Sequence, residues 1–396
     1  MKLLYIAFKD FSNLHFGANA KVLSQCRAFE EYGYEVELVG RKGVDTVVIS
    51  PSGESSVIFR GDGILKNPKL RNLRAKHNQM KAVCRHIAEK QYDACYIRYD
   101  FSDAAFIKML RCIDQHCGKV ALELPTYPYE AENSIGVLNK IKMQIDLHYR
   151  KELKKYIDFI VTFYEGHKEL FGIPVEVIPN GFDFSTMEMV HTKLPEDAIH
   201  IIAVSSMREW HGYERMIEGL HNYYAKNGSE NFILHLVGNG REYGKYKELA
   251  EKYGLQSHVV MEGAMHGEKL DALYEKCALG VDSLARHRSG ISVLSSLKSR
   301  EYGAKGIPII NSCKIDIIDA DFPYMLQVPA DESPIDMEKV SEFFKACYKT
   351  GKTREKVASN IRDYISHKSS MKATLYSVVN KLECREKQIT QIEGKQ

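Results

Sequence analysis

Short apolar runs alternate with amphipathic stretches in the second half of this chain, and this alternation constrains the fold more than any other feature. Strands are predicted at 199–204, 232–238, 258–262, 279–283 and 307–311. Helices are predicted between them. Strands that alternate with helices form a parallel sheet covered on both faces. A similar alternation begins with the apolar run at 3–8, so we expect an α/β protein built from two doubly wound, Rossmann-like domains.

The length supports two domains, because 396 residues exceed what one ordinary hydrophobic core accommodates. Turn and composition signals predict the boundaries. They give a first domain at 1–183, a linker at 184–197, a second domain at 198–368, and a C-terminal helix and tail at 369–396.

Charge and cysteine usage exclude several classes of protein. The net charge of +3 is nearly balanced, so a nucleic-acid partner is not expected. The nine cysteines include no CxxC pair, which favours free thiols in a reducing compartment. No run of about 18 apolar residues is present, so no membrane-spanning helix is expected. The expected location is therefore the cytoplasm.

The stretch from Ser289 to Asn311 carries the clearest candidate site. Ser295 or Ser296 can cap a helix that Gly306 ends. The unpaired N–H groups at a helix start attract anions, and Lys298 in the first turn would reinforce this attraction. Arg300 and Glu301 follow in the same helix.

Glu301 lies roughly 7 Å along the helix axis from Ser296, at about 1.5 Å per residue. That distance approximates the separation between the diphosphate of a nucleotide and its ribose hydroxyls, and a carboxylate can accept hydrogen bonds from such a diol. An ordinary solvated helix explains these residues equally well.

Two features of the first domain also suggest ligand contacts. Gly17 stands where a loop after the first strand meets a helix, as in phosphate-binding loops. The loop PTYPYEAE, residues 125–132, follows a predicted parallel strand, at the end where α/β sheets bind ligands. Its Thr126, Tyr127 and Tyr129 are candidates for positioning an acceptor, with Glu130 as a possible base.

Two basic stretches, residues 65–90 and 137–155, are predicted to be helical. Apolar residues interleave with the lysines and arginines in the first of them. Most such stretches are solvated helix faces, but cationic amphipathic helices also bind anionic membrane surfaces. A peripheral position on the inner face of the cell membrane is the corresponding expectation.

Common nucleotide and hydrolase signatures are absent. The turn Gly238-Asn239-Gly240 follows a strand but does not form GxGxxG, and no GxxxxGK[ST], HExxH or GxSxG occurs.

Four phrases together resemble family 4 glycosyltransferases, which are retaining enzymes of the GT-B fold. They are VIPNGFD (177–183), REWHGYERMIEGL (208–220), LVGNGRE (236–242) and LKSREYGAKGIP (297–308). The resemblance implies two Rossmann-like domains facing across a cleft. It also implies a nucleotide-diphosphate sugar bound mainly by the second domain, an acceptor bound by the first, and no metal or other cofactor.

The resemblance assigns roles by position. Glu301 matches the ribose-binding glutamate, and Gly17 matches the glycine that faces the donor phosphates. The remaining donor-side residues are Arg208, His211, Gly238, Gly240, Leu294, Ser295, Ser296, Lys298 and Arg300. Lys298 is the candidate for stabilising the leaving diphosphate. On the acceptor side, Arg98 joins Thr126, Tyr127 and Tyr129.

Three positions depart from the family pattern. Val293 stands where a second glutamate would contact the transferred sugar, eight residues before Glu301. Ser205 and His211 replace the arginine and lysine that clamp the diphosphate. A histidine expected after the strand that ends at Leu124 is absent.

The sequence thus predicts a hexosyltransferase that transfers a sugar with retention to a hydroxyl acceptor, either polyprenyl-linked or a growing polysaccharide such as a capsule or exopolysaccharide. Two alternatives stay open. One is a non-catalytic GT-B partner subunit, which the three departures favour. The other is a sugar-nucleotide epimerase of the same fold.

Overall fold

A computed structural model describes residues 1–14, 17–50, 52–127, 137–164, 166–348 and 351–383. The chain divides into two compact units. The first unit comprises Met1–Ile178 and the chain from Met371 onward, and the second comprises Pro179–Ser370.

The first unit is built mainly from the N-terminal part of the chain. Its strands are β1 (Lys2–Asp10), β2 (Glu35–Lys42), β3 (Asp45–Ile49), β4 (Ser55–Phe59), β5 (Tyr92–Arg98), β6 (Cys117–Leu124), β7 (Phe159–Thr162), β8 (Glu169–Leu170) and β9 (Ile173–Val177). Its helices in this part are α1 (Gly17–Glu31), α2 (Pro68–Ile87), α3 (Ala104–His116) and α4 (Val137–Tyr149), and a 3₁₀ turn at Arg150–Lys155 follows α4.

These strands form one sheet in the order β4-β3-β2-β1-β5-β6-β7-β9-β8. The strands from β2 to β9 in this order run parallel, whereas β3, β4 and β8 pair antiparallel at the two edges. The parallel core follows the predicted alternation. The hairpin of β3 and β4 and the short strand β8 were not predicted, because their sequences alternate with turn residues instead of helices.

The second unit repeats the alternation. Its strands are β10 (Ile199–Val204), β11 (Phe232–Val237), β12 (Val259–Gly263), β13 (Leu279–Val281), β14 (Val293–Leu294), β15 (Ile309–Asn311), β16 (Lys314–Ile315) and β17 (Met325–Gln327). Its helices are α5 (Glu214–Ala225), α6 (Tyr243–Lys252), α7 (Glu268–Lys276), α8 (Leu297–Lys305), α9 (Met337–Cys347) and α10 (Arg354–Ser369).

Six of these strands form a fully parallel sheet in the order β12-β11-β10-β13-β15-β17. The order reverses direction between β10 and β13, and ligands of open α/β sheets bind at such a switch point beyond the carboxyl ends of the strands. The pair β14–β16 forms a separate two-stranded parallel sheet. The expected α/β class with two doubly wound sheets is confirmed.

The last two helices belong to different units. α10 packs on α8, where a Cβ on Gly303 would meet the Ile365 side chain at 2.7 Å. The final helix, α11 (Met371–Glu383), belongs to the first unit, where Leu375 and Val378 share a core with Phe29 of α1.

The predicted linker at 184–197 lies inside the second unit. Its Val190 is buried, and the Val190 N–H donates to the carbonyl of Lys305 (3.0 Å). Within the described residues, none of the helices is long and apolar enough to cross a membrane.

Candidate functional site

The start of α8 has the capped geometry that its sequence predicts. The Ser296 Oγ accepts a 3.0 Å hydrogen bond from the Lys298 N–H, and Leu297 begins the helix. Gly306 ends it with a positive φ of 75°. α8 starts beyond the carboxyl ends of β13 and β10, so its first turn lies at the switch point of the sheet.

Lys298 is held by the end of β13. Its Nζ donates to the Asp282 carbonyl (2.7 Å) and forms a 2.9 Å ion pair with the Asp282 Oδ1. Asp282 is fully buried, and its Oδ2 has no hydrogen-bond partner among the described residues. The charge of Lys298 is therefore largely balanced by a buried carboxylate.

Arg300 is buried and bound to other groups of the protein. It is fully buried, and its Nη2 lies 2.6 Å from both carboxylate oxygens of Asp316. Its Nε donates to the carbonyl of Asn180 (3.2 Å). Ser295 joins the same cluster, because its Oγ donates to Asp316 (2.7 Å). Arg300 and Ser295 were predicted to contact the donor, but here both are bound to Asp316 inside the unit, and Arg300 has no surface to offer a ligand.

Glu301 is different, because it keeps unused hydrogen-bonding capacity. One oxygen accepts a 2.7 Å bond from the Tyr274 hydroxyl of α7. Burial raises the pKa of the Glu301 carboxyl, and the bond from Tyr274 and the charges of Lys305 and Lys298 offset only part of that rise. A partly buried carboxylate with one donor can accept further hydrogen bonds from a ligand.

His211 lies in a loop that follows β10 and is kept neutral. Burial, together with the nearby charges of Lys298, Arg286 and Arg208, lowers the pKa of His211 to about 2. Its Nδ1 accepts a 2.9 Å bond from the Arg208 N–H, so the ring proton is on Nε2. The ring stacks on Tyr213, with a centroid distance of 5.6 Å. His211 can therefore donate a hydrogen bond but does not supply the positive charge that its family position would.

Arg286 is a cation of this region that has no carboxylate within ion-pair distance among the described residues. Within the described residues its guanidinium makes no hydrogen bond or ion pair, and its Nε is buried and unpartnered. Its guanidinium carbon lies 5.6 Å from the ring centre of Trp210. Burial lowers the pKa of Arg286, which shows that the surroundings do not compensate its charge fully. Trp210, the one tryptophan of the chain, is therefore a neighbour of this arginine.

Gly238 and Gly240 allow two loops to approach each other. A Cβ on Gly238 would lie 1.9 Å from the Ser205 carbonyl oxygen, and a Cβ on Gly240 would lie 1.9 Å from that of Ser206. Gly238 also has a φ of 121°, which side chains rarely adopt. Close packing of the loops after β10 and β11 thus requires both glycines, whether or not a ligand contacts them.

The remaining positions of the predicted donor set are near the start of α8. Val293 and Leu294 form β14, which pairs with β16, and Val293 is 42% exposed. Leu294 is buried, so only its backbone is available to a ligand.

In the first unit, Arg98 ends β5 and forms an ion pair with Glu123, which is fully buried near the end of β6. Tyr127 packs edge-on against His167 (5.2 Å) and contacts the core of the unit. Thr126 is partly buried beside it. Gly17 begins α1 as predicted. Tyr129 and Glu130 lie outside the described residues.

The structure adds three residues that the sequence interpretation did not include: Asp282, Arg286 and Tyr274. The segment VDSLARHRS, residues 281–289, carries an acidic residue at a strand end and a cluster of basic residues after it. This pattern could have indicated Asp282 and Arg286 from the sequence. Tyr274 gave no signal, because its contact with Glu301 arises only when α7 and α8 pack together.

The comparison with known families bears on this unit. Residues 186–310 match the family described as glycosyl transferases group 1. The matched segment lies within the second unit. The matched segment contains α8, Asp282, Arg286 and His211, and the expected enzyme class is confirmed by it. No curated protein sequence matches this chain.

Solved structures with the same fold cover nearly the whole chain. The sucrose-phosphate synthase from Thermosynechococcus elongatus aligns with a TM-score of 0.61 at 15% identity, over 96% of this chain and 99% of that one. The Anabaena protein Alr3699/HepE, solved with UDP, aligns at 0.56 and 13% over the same shares.

The lipopolysaccharide outer core galactosyltransferase WaaB, in its apo form, aligns at 0.56 and 15%, over 96% of this chain and 100% of that one. At these identities the likeness establishes the fold, and the GT-B expectation is confirmed.

Proposed function

We propose that the protein is a retaining hexosyltransferase of family 4 type. It moves a sugar from a nucleotide-diphosphate donor to a hydroxyl of a lipid-linked or growing polysaccharide acceptor, such as a capsule or exopolysaccharide. The observation that carries the proposal is the state of Glu301, a partly buried carboxylate with a raised pKa and one protein donor. It lies in the second turn of a helix that begins at the switch point.

Glu301 is proposed to bind the ribose of the donor. Two hydroxyls of a ribose would add two hydrogen bonds to a carboxylate that has one, and would restore the solvation that burial removed. The solved Anabaena relative binds UDP and UDP-glucose, according to its structures, which supports a nucleotide sugar as the ligand here.

The diphosphate is proposed to lie between the start of α8 and Arg286. The first turn of α8 offers backbone N–H groups, and Arg286 supplies a charge that no carboxylate among the described residues neutralises. Lys298 contributes positive charge, although it is paired with Asp282. His211 contributes a neutral hydrogen-bond donor, its Nε2–H. Arg208 supplies further positive charge near His211.

These groups stabilise the charge that develops when the bond between the sugar C1 and the phosphate oxygen breaks. The acceptor oxygen forms the new bond to C1 on the same face of the ring, and the acceptor loses its proton to a base. Glu130 is the predicted base. Two parts of this proposal, the retention of configuration and the lack of a metal requirement, rest on the family resemblance.

The acceptor side is proposed to face an anionic membrane. α2 exposes Leu70 and Leu73 among its basic residues, and α4 exposes Ile141 and Ile145 beside Lys140. Cationic helices with exposed apolar residues bind anionic lipid surfaces. The relative WaaB acts on the lipopolysaccharide outer core by its name, which supports an acceptor of this class. The proposed location is cytoplasmic, on the inner face of the cell membrane.

Calorimetric titration with UDP, GDP, ADP and dTDP tests the donor site, with EDTA present in a parallel series. We expect one diphosphate to bind in both series, and Glu301→Ala to weaken that binding at least tenfold. Glu268→Ala, which removes an exposed glutamate of α7, is the matched control and should bind like the wild type. If none of the four diphosphates binds, the enzyme proposal fails.

A non-catalytic partner subunit is the second candidate, because Val293 presents an exposed isopropyl group where the family pattern has a glutamate. Measuring release of the nucleoside diphosphate from nucleotide sugars separates the two. The enzyme proposal expects turnover with a wild-type Val293, whereas the partner-subunit candidate expects donor binding without turnover. An epimerase would instead convert one nucleotide sugar into another without releasing the diphosphate.

A further inference from the structure

The end of β2 in the first unit holds a buried guanidinium that forms no ion pair with any side chain of the described residues. Arg41 is 4% exposed, and its Nε has no hydrogen-bond partner among the described residues. No carboxylate in the same part of the chain lies within ion-pair distance of it, although Asp10 and Asp100 are near enough to act on it electrostatically. Burial lowers the pKa of Arg41 despite these two charges.

The residue opposite Arg41 is in a similar state. Arg41 pairs with Thr46 across the antiparallel strands β2 and β3. Thr46 is fully buried, and its Oγ1 has no partner among the described residues. Buried polar groups are nearly always hydrogen-bonded in folded proteins, so two unpartnered groups facing each other across a strand pair call for an explanation.

Arg41 lines an open cavity of about 430 Å³. The cavity lies between the carboxyl ends of β1 and β2 and one face of α2, to which Pro68, Arg71, Asn72 and Ala75 contribute at helical spacing. Gly43, Val44 and Gly63 form the rest of the wall with Asp10. The volume falls within the range of about 300–1,000 Å³ that is usual for small-molecule sites.

The charges around this cavity favour an anion. Arg41 and Arg71 are both positive, and the single lining carboxylate, Asp10, already accepts three bonds through its Oδ1, from the N–H and the hydroxyl of Ser12 and from the Gly43 N–H. Asp100 is bound to Lys76 in an ion pair, so it does not neutralise Arg41.

We propose that this cavity binds a phosphoryl group carried by the acceptor, with Arg41 and Arg71 as its ligands. A planar guanidinium presents paired N–H donors that match two oxygens of a phosphoryl group. The remaining volume accommodates part of the molecule that carries the phosphate, and Asp10 has a second oxygen, Oδ2, for one of its hydroxyls. The inference rests on the proposed function only in naming the ligand as the acceptor.

Calorimetry with the full chain tests the site directly, using inorganic phosphate, dodecyl phosphate below its micelle concentration, and dodecyl maltoside. We expect a phosphate-containing probe to bind and the maltoside not to bind. Arg41→Gln and Arg71→Gln should each weaken that binding at least tenfold. Arg85→Gln, an exposed arginine of α2 that does not line the cavity, should bind like the wild type.

Arg71 is exposed, so Arg71→Gln remains informative even if Arg41→Gln fails to fold. Equal binding of inorganic and dodecyl phosphate would identify the phosphoryl group alone as the determinant, and tighter binding of dodecyl phosphate would identify a lipid-borne phosphate. Both support the site. The inference is overturned if neither phosphate binds, or if Arg71→Gln leaves the binding of phosphate unchanged.

Titration of the same variants with UDP and GDP tests the donor proposal separately from the phosphate site. Arg71→Gln should leave nucleotide affinity unchanged, and Glu301→Ala should leave phosphate binding unchanged. A protein that binds a nucleotide but neither phosphate probe refutes this inference alone.

Discussion

Glu123 in the first unit and Glu301 in the second are glutamates near the carboxyl end of a parallel sheet, the first fully buried and the second partly buried, and their environments are opposite. Glu123 is fully buried and is paired with Arg98, with further bonds from the Tyr96 hydroxyl (2.7 Å) and the Gln25 amide (2.6 Å). Although burial alone would raise it, the pKa of Glu123 is lowered by these partners. Among the described residues, Glu301 accepts a side-chain hydrogen bond from Tyr274 alone, and burial raises its pKa.

The difference distinguishes a structural carboxylate from one available to a ligand. A carboxylate that is already saturated gains little from a new donor, and removing its partners leaves an uncompensated buried charge. A carboxylate whose desolvation is only partly offset gains free energy when a ligand adds hydrogen bonds. Residue type and position alone would have assigned the two glutamates the same role.

The largest expected effect concerns the saturated glutamate. Replacing Arg98 by Met should lower the free energy of unfolding by about 3–5 kcal/mol, because Glu123 would remain buried without its cation. Urea unfolding followed by circular dichroism measures this. Arg85→Met, at an exposed site, should change stability by less than about 0.5 kcal/mol. A loss for Arg98→Met as small as that of the control would refute the structural role of the pair.

Replacing Glu301 by Gln should weaken ligand binding without lowering the stability of the fold. The affinity for the nucleoside diphosphate should fall by about 10- to 100-fold, or about 1.4–2.7 kcal/mol, because charged hydrogen bonds to the ribose become neutral ones. Stability at pH 7 should stay equal or increase. A group with a raised folded pKa stabilises the fold when protonated and loses that contribution as the pH rises through the pKa, so the neutral amide removes a cost.

Calorimetry and thermal unfolding of the same samples check both parts of this prediction, with Glu268→Gln as the control. A large loss of stability in Glu301→Gln, without a selective loss of nucleotide binding, would place Glu301 with Glu123 as a structural residue.

Acid should destabilise the second unit through His211. Its pKa is lowered to about 2 in the folded state, against 6.5 for the ordinary side chain. Its contribution is therefore fully present above pH 6.5 and is lost as the pH falls toward 2, at about 1.4 kcal/mol per pH unit for one proton.

His211→Asn keeps an acceptor for the Arg208 N–H and removes the titration. Unfolding free energies between pH 7 and 5 should show a shallower slope for this variant than for the wild type, while His266→Asn, at an exposed site, should match the wild type. Identical slopes in all three proteins would contradict the neutral buried state of His211.

The smallest effect is expected from Tyr274→Phe, which removes the one hydroxyl that Glu301 accepts from. Nucleotide affinity at pH 7 should fall by about two- to fivefold, which corresponds to under about 1 kcal/mol. The pH below which affinity declines should move upward, because Tyr274 lowers the Glu301 pKa. Titrations at several pH values measure the shift, and an unchanged pH profile would show that this bond does not tune the carboxylate.

Local signals predicted the fold and the helix of the site well. The predicted helix at 296–305 corresponds to Leu297–Lys305, and Ser296 is its cap, because capping and the glycine stop depend on adjacent residues. The role of Arg300 could not be read in this way. Its partner Asp316 follows β16, and only the pairing of β14 with β16 brings that carboxylate to the helix.

The distribution of charge in the site was equally dependent on tertiary structure. The sequence placed Lys298 and Arg300 among the donor-side residues, but both are paired with aspartates. Arg286 has no such partner among the described residues, although its segment contains as many basic residues as the helix. Which cation is left without a carboxylate depends on contacts between distant elements.

The most direct test of the account is a double-mutant cycle between Glu301 and the ribose diol. Calorimetry measures the binding of two ligands to the wild type and to Glu301→Gln. One ligand is UDP or GDP, whichever binds more tightly, and the other is its 2′,3′-dideoxy analogue. If Glu301 binds the diol, removing both partners costs little more than removing one, with a coupling energy of at least about 1 kcal/mol. Additive losses, or no binding of any nucleoside diphosphate to the wild type, would contradict the assignment of Glu301 as the anchor of a nucleotide-sugar donor.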